Sequence, residues 1–193
     1  AADPIALSSL ARSKPADLVH APAARRAGVP LIRRFSGGGT VIVDGGSVLT
    51  TLAGSDAHLP PSVAGRGPRP LMAWTAGVWE PLFGPLGLGY GLRGMVGVEK
   101  ERKGAHAARG ALSRRAHRSP PPPFPDYALG HKKFAGNAQA ISKGRWLHHT
   151  SFLWSVDPAR MALLKQPPTA PVYRAGRAHG DFVVGLEGRV PGG

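Results

Sequence analysis

The chain has no cysteine among its 193 residues. Without thiols it forms no disulfide, no thiolate metal site and no cysteine nucleophile, so these three kinds of chemistry are excluded. It also lacks any run of about 18 apolar residues, so no segment is predicted to span a membrane. The motifs of common nucleotide-binding loops and zinc peptidases are absent, as is the G-x-S-x-G motif of serine hydrolases.

Acidic residues are scarce, since 11 Asp and Glu stand against 25 Lys and Arg, which gives a net charge of +14. Such a surface attracts polyanions and acidic proteins, so a nucleic-acid-binding protein is one hypothesis. Seven of the basic residues lie within 94–125, where aromatic residues do not alternate with them. Because no stacking platform accompanies the charge, nucleic-acid binding is the alternative hypothesis and not the first.

Glycine and proline are abundant, with 27 and 20 residues, which is typical of a domain built from strands and loops. Residues 94–125 are basic, contain few large apolar side chains and end in the polyproline run 120–123. This composition predicts a disordered insertion. We therefore predict one α/β domain whose two parts, 1–93 and 126–193, flank the insertion.

Apolar periodicity and turn residues predict the local structure of the domain. Strands are expected at 31–35 and 40–44, then a hairpin turn at 44–46, a returning strand at 47–52 and a second hairpin over 133–154. Helices are expected from Pro70 to Gly84, from Asp157 to Leu164, and near 182–184.

Residues 33–44 read R-R-F-S-G-G-G-T-V-I-V-D. Three consecutive glycines let a loop turn its N–H groups toward an anion, and the arginines add positive charge at the same place. A flexible linker with two surface arginines is the competing interpretation.

Lys133 begins the segment K-F-A-G-N-A, whose small residues leave room beside its side chain. A lysine in that setting can reach a phosphate or carboxylate, whereas a solvated surface lysine is the usual alternative. The neighbouring Lys132 offers a natural control. Adjacent His148 and His149 point to opposite faces of a strand, which argues against a zinc site.

Three segments together resemble the lipoate–protein ligase family, in particular its short plant and algal form. They are the glycine-loop motif at 33–44, D-Y-A-L-G-H-K-K-F-A-G-N-A-Q at 126–139 and R-W-L-H-H-T-S-F-L-W at 145–154. The resemblance implies a mixed β-sheet wrapped around an acyl-adenylate pocket, with flanking helices, as in class II synthetases and biotin ligases. It also implies that the first helix and strands of the family are missing here.

The resemblance implies that lipoate and ATP, with Mg²⁺, form lipoyl-AMP, and that the lipoyl group then passes to a lysine of an acceptor domain. Lys133 takes the catalytic position, and Asp126 is a weaker candidate for Mg²⁺. Where the family has an Asn before this aspartate, the chain has Pro125. The predicted substrate and ATP contacts are Arg34, Ser36, Gly37, Gly38, Gly39, Thr40, Val41, Ile42, Gly136, Asn137, Ala138 and His149.

Two other enzyme families that share this fold are less compatible with the sequence. Octanoyl transferases of this fold work through a cysteine, which is absent, and the glycine loop differs from that of biotin ligases. A lipoyltransferase that accepts preformed lipoyl-AMP remains open. The expected acceptors are lipoyl domains of 2-oxoacid dehydrogenase E2 components and the glycine cleavage H protein. We expect a monomer with no membrane partner, in a mitochondrion or plastid rather than the cytosol.

Overall fold

The structure is a computed structural model that describes residues 6–10, 14–86, 90–93, 126–167 and 170–190. The predicted insertion at 94–125 lies outside the described residues, so its disorder and the division of the domain around it stay predictions.

Two β-sheets form the framework. In the three-stranded sheet, β1 (Ala6–Leu10) lies in the centre, parallel to β2 (Leu31–Arg34) and antiparallel to β3 (Val41–Val43). The five-stranded sheet is antiparallel and has the order β4–β8–β7–β6–β5. Its strands are β4 (Ser47–Ser55), β5 (Tyr90–Arg93), β6 (Asp126–Leu129), β7 (Lys132–Ser142) and β8 (Arg145–Leu153).

Five α-helices accompany the sheets in the described ranges: α1 (Pro15–Leu18), α2 (Ala21–Arg26), α3 (Pro68–Phe83), α4 (Pro158–Met161) and α5 (His179–Phe182). The long helix α3 confirms the predicted one and begins two residues earlier. Its buried face packs on the large sheet, where Trp79 contacts Phe152 edge to face with ring centroids 5.3 Å apart. None of the described helices is long and apolar enough to cross a bilayer.

The helix predicted from Asp157 is shorter than expected. Asp157 Oδ1 accepts hydrogen bonds from the backbone N–H groups of Ala159 and Arg160, at 2.8 and 3.3 Å, as an N-cap does. The helix nevertheless ends at Met161, because Leu164 forms an antiparallel bridge with Val19. Val183 likewise bridges to Lys133 in an extended conformation, so the predicted last helix ends at Phe182.

The predicted hairpin across residues 44–46 is wrong. The turn itself forms, since Asp44 Oδ1 accepts hydrogen bonds from Gly46 N and Ser47 Oγ, each at 3.1 Å. The strands on its two sides, however, enter different sheets. Three residues of β3 pair with β1, whereas all nine residues of β4 pair with β8. Long-range pairing therefore overrides the local turn signal.

The β7–β8 hairpin is confirmed. Lys143 and Gly144, with φ of 50° and 72°, form a tight turn whose twist suits two antiparallel strands. The face of β8 that carries His148 and Phe152 packs toward α3, and the face that carries His149 and Leu153 points the other way. We call these the core face and the cavity face of the hairpin.

Candidate active site

A cavity of about 1140 Å³ lies between the two sheets, and residues of the segment 161–183 line a third side. Part of its wall is continuous with the apolar core. That apolar wall consists of Leu18, Ile42, Leu153, Met161, Leu164, Phe182 and Val183. Cationic side chains from distant parts of the chain also line the cavity, namely Lys14, Arg34, Arg69, Lys133, Lys165 and Arg174.

The glycine loop is bonded directly to β7. Gly37 N donates to the Gln139 carbonyl oxygen at 2.8 Å. Gly38 has φ of 120°, and a Cβ there would lie 2.6 Å from the Asn137 carbonyl oxygen, so only glycine allows this close approach. The loop is thus a fixed part of the wall rather than a free linker.

Arg34 holds the loop against the small sheet. Its Nη1 donates to the Ser8 carbonyl oxygen at 2.8 Å, and its Nη2 donates to the Gly39 carbonyl oxygen. The buried Nε has no hydrogen-bond partner among the described residues. Burial lowers the pKa of the guanidinium from its usual value, but the group stays cationic.

A β-bulge turns Lys133 toward the cavity. Lys133 pairs with Ala128, and Ala135 pairs with Tyr127. Two adjacent residues of β6 therefore face residues of β7 that are two positions apart, so β7 carries one extra residue. In a regular strand Lys133 would share the core face with Ala135. The extra residue places it instead on the face of Gly136, where its Nζ would lie 3.3 Å from an added Cβ.

Asp126 orients Lys133. The Asp126 carboxylate lies 2.6 Å from Lys133 Nζ and accepts a hydrogen bond of 2.8 Å from the Tyr173 hydroxyl. Burial and the neighbouring Asp126 charge raise the pKa of Tyr173, so the phenol remains a donor. An ammonium has three N–H donors, and the ion pair leaves others for a ligand.

Behind the cavity, a neutral polar network fixes Asn137. His148 Nδ1 accepts from Gln139 Nε2 at 2.8 Å, so His148 Nε2 carries the proton and donates to Asn137 Oδ1 at 3.1 Å. Thr150 Oγ1 donates to the same oxygen at 3.0 Å. Burial lowers the pKa of His148 to about 4, with a smaller contribution from the nearby His149.

His149 lies on the cavity face. Its Nδ1 lies 2.8 Å from Thr51 Oγ1, which anchors the ring to the neighbouring strand. Its pKa is lowered by burial first and by the Arg34 charge second. The imidazole is therefore neutral near pH 7 and able to donate or accept one further hydrogen bond.

Most of the predicted site residues meet in this cavity. Those that line it are Arg34, Gly38, Gly39, Thr40, Val41, Ile42, Asp126, Lys133, Gly136, Asn137, Ala138 and His149. Ser36 and Gly37 do not line it. Ser36 is fully buried, and the N–H of Gly37 is taken by β7.

The ranges that the structure covers contain no group of three or more His, Cys, Asp or Glu side chains that could hold a metal ion. Asp126 is the carboxylate beside Lys133, and a lone carboxylate suits Mg²⁺, which is usually bound together with substrate phosphates. Its role with Mg²⁺ stays a prediction.

Sequence reasoning missed two residues of the C-terminal segment. Arg174 is 4% exposed and lines the cavity, and the nearby His179 lines it as well. The pKa of His179 is lowered to about 4, mainly by burial and then by the charges of Arg174 and Lys133. The local signal was an arginine followed by alanine and glycine, which by itself is typical of a surface turn.

A family model described as the lipoyl protein ligase A/B catalytic domain matches residues 97–178. The "Inactive lipoate–protein ligase 2" of Plasmodium falciparum is 37% identical over 57 residues, which are 29% of this chain and 15% of that protein.

Solved structures share the fold. Protein Ta0514 from T. acidophilum, solved with bound lipoic acid, has a TM-score of 0.58 at 17% identity, over 94% of this chain and 59% of that one. A bipartite lipoate protein ligase from Thermoplasma acidophilum, studied with its E2 lipoyl domain, has a TM-score of 0.56 at 19% identity, over 94% of this chain and 58% of that one. Lipoate–protein ligase A bound with ATP has a TM-score of 0.53 at 20% identity, over 94% of this chain and 60% of that one.

The architecture is therefore the mixed α/β, class II synthetase-like fold of lipoate ligases, as predicted. The resemblance of the chain to the lipoate–protein ligase family is confirmed by the family model together with these neighbours. The chain spans about 60% of the length of the solved neighbours and 15% of the curated relative.

Proposed function

We propose that this chain provides the lipoate-activating site of an ATP-dependent lipoate–protein ligase. The observation that supports this most directly is one cavity that joins an apolar wall to the cations Arg34 and Lys133. Lipoate is an acid with an apolar tail, and ATP is a polyanion, so the apolar and the cationic side chains of the cavity match the two reactants.

In the proposed first half-reaction, a carboxylate oxygen of lipoate attacks the α-phosphorus of ATP. Lipoyl-AMP forms as the bond to pyrophosphate breaks. Two anions must approach each other, and nearby cations lower that repulsion. Lys133 lies along the Gly136 backbone and is held by Asp126, so its ammonium is oriented before a ligand enters. Asp126 is the carboxylate that would hold Mg²⁺, and the ion would supply positive charge for the leaving pyrophosphate.

In the proposed second half-reaction, the amine of an acceptor lysine attacks the acyl carbon and AMP departs. The acceptor is proposed to be a lipoyl domain, because the neighbour from Thermoplasma acidophilum was studied with its E2 lipoyl domain. A net charge of +14 would favour an acidic acceptor. The expected monomeric state and organellar location stay predictions.

A second candidate is a lipoyltransferase that uses preformed lipoyl-AMP. One relative is named an inactive ligase, which is a reason to consider a chain that does not make the adenylate itself. Both candidates need the same cavity, but only the ligase makes the adenylate.

Lipoate-dependent exchange of labelled pyrophosphate into ATP distinguishes the two, because exchange requires adenylation. We expect exchange with the wild-type chain and a loss of at least about 100-fold in Lys133→Ala, with the melting temperature retained. Lys132→Ala is the matched control, since Lys132 is exposed, and should exchange normally. Transfer from supplied lipoyl-AMP without any exchange would support the transferase, and near-normal exchange by Lys133→Ala would refute the role of Lys133.

A further inference from the structure

Arg174 lies in the segment that lines the third side of the cavity. It is 4% exposed, and its guanidinium carbon lies 4.8 Å above the centre of the Phe182 ring. Its Nε donates to the Arg177 carbonyl oxygen at 3.0 Å. Its Nη2 is buried and has no hydrogen-bond partner within the ranges that the structure describes. A buried cationic donor without a partner is costly, which points to a ligand on that side.

The loop around Arg174 is braced so that the guanidinium has a defined position. Arg177 donates to the carbonyl oxygens of Arg174, Tyr173 and His131, at 3.0, 2.7 and 2.9 Å. Ala175 and Gly176 have φ of 50° and 71°, as in a tight turn. The ring of Phe182 supports the face of the guanidinium. Such preorganisation lowers the entropy lost when an anion binds.

The local charge balance favours an anion. Asp126 carries one negative charge and is bonded to Lys133 and Tyr173. It also interacts electrostatically with Arg174, so one carboxylate serves two cations. His179 is uncharged near neutral pH because burial and these cations disfavour its protonation. Among Lys133, Arg174 and Asp126, one positive charge is therefore left for a ligand.

We propose that Arg174 is a second oxyanion-binding residue of this cavity and that it contacts a phosphoryl group beside Lys133. A planar guanidinium offers forked N–H donors that match phosphate oxygens. The phosphoryl group belongs to the adenylate or to the departing pyrophosphate. The role in the reaction rests on the proposed ligase function, whereas the anion site itself does not.

The test compares Arg174→Met, Arg174→Lys and the wild-type full chain in calorimetric titrations with pyrophosphate and with AMP. Methionine keeps an apolar stem on Phe182 and removes the guanidinium. We expect the affinity for at least one anion to fall about tenfold or more in Arg174→Met, with partial recovery in Arg174→Lys. Arg66→Met is the matched control, because Arg66 is exposed and does not line the cavity.

The two half-reactions identify which phosphoryl group is bound. If Arg174 binds the leaving group, Arg174→Met loses pyrophosphate affinity and exchange but transfers the acyl group from supplied lipoyl-AMP normally. If Arg174 binds the α-phosphate, AMP affinity and that transfer fall, whereas pyrophosphate affinity stays close to that of the wild type. Either result supports the site, and a merely structural role would not separate the two anions at an unchanged melting temperature.

Unchanged affinity for both anions in a folded Arg174→Met would overturn the inference, and so would a wild-type chain that binds neither. If Arg174→Met does not fold, Arg174→Lys becomes the deciding variant. Affinity for both anions equal to that of the wild type in Arg174→Lys would then overturn the inference, because it would show that binding does not need a forked donor. Arg174-dependent pyrophosphate binding without any exchange would refute the ligase proposal and leave the anion site standing.

Discussion

The core face and the cavity face of the β7–β8 hairpin carry neighbouring histidines in opposite settings. On the core face, His148 is 1% exposed and bonds to the amides of Gln139 and Asn137. On the cavity face, His149 bonds to Thr51 and lies near the charge of Arg34. Polar groups of the core face bond mainly to other protein groups and are neutral, whereas the cavity concentrates cations. The first arrangement stabilises a fold, and the second suits an anionic ligand.

The largest expected effect comes from the contact between the glycine loop and the hairpin. In Gly38→Val, the branched side chain would meet the Asn137 carbonyl oxygen and the Cβ of Ala138, at a φ that valine rarely adopts. We expect exchange activity to fall at least about 100-fold and stability by about 2 kcal/mol. Exchange kinetics and chemical denaturation measure both.

Gly77→Ala is the control, since a Cβ on Gly77 meets nothing within 4 Å and lies in a helix. It should leave activity unchanged and raise stability by up to about 1 kcal/mol. Normal exchange by Gly38→Val would show that the loop need not pack on β7.

The paired histidines test the comparison directly. His148→Ala leaves two buried amides without their partner and opens a void, so we expect a loss of about 3 kcal/mol in unfolding free energy. His149→Ala should cost less than about 0.5 kcal/mol, because the ring is partly exposed, yet raise the KM for ATP or lipoate. Urea denaturation measures the unfolding free energies, and steady-state kinetics measure the KM values. Equal stability losses in the two variants would contradict the assignment of the faces.

Lowering the pH should reduce the stability of the folded chain through His148 on the core face. The pKa of His148 is about 4 in the folded chain and 6.5 when unfolded, so the unfolded state binds more protons between these values. Stability is therefore expected to fall as pH drops from 6.5 toward 4. The effect of His148 alone is the difference between the wild type and His148→Gln, in which other titrating groups cancel. Parallel stability–pH curves for the two proteins would argue against a neutral, buried His148.

Several elements follow from the sequence because their causes are local. The tight turn at Lys143 and Gly144 predicts the β7–β8 hairpin, and alternation along β8 predicts that the two histidines lie on opposite faces. Helix α3 follows from its apolar spacing, with Pro70 predicted near its start and Gly84 at its end, although it begins at Pro68. The motif resemblance also identifies a set of residues most of which line the cavity, because it compares whole segments and not single positions.

Other features depend on contacts between distant segments. The hairpin predicted at residues 44–46 fails because β4 finds nine partners on β8, about a hundred residues away. The orientation of Lys133 depends on a bulge opposite β6, and strand alternation alone would have placed it in the core. The position of the Arg174 side chain depends on its contact with the Phe182 ring and on its hydrogen bond to the Arg177 carbonyl oxygen.

The sequence by itself determined that thiol chemistry is absent, that the chain is strongly cationic, and that a glycine loop and a lysine segment resemble those of the lipoate–protein ligase family. These properties are set by residue identity and by spacing along the chain. The tertiary structure decided which cations share a cavity and which polar groups are bonded within the protein. Those outcomes depend on strand pairing and burial, which bring residues more than a hundred positions apart into contact and remove them from water.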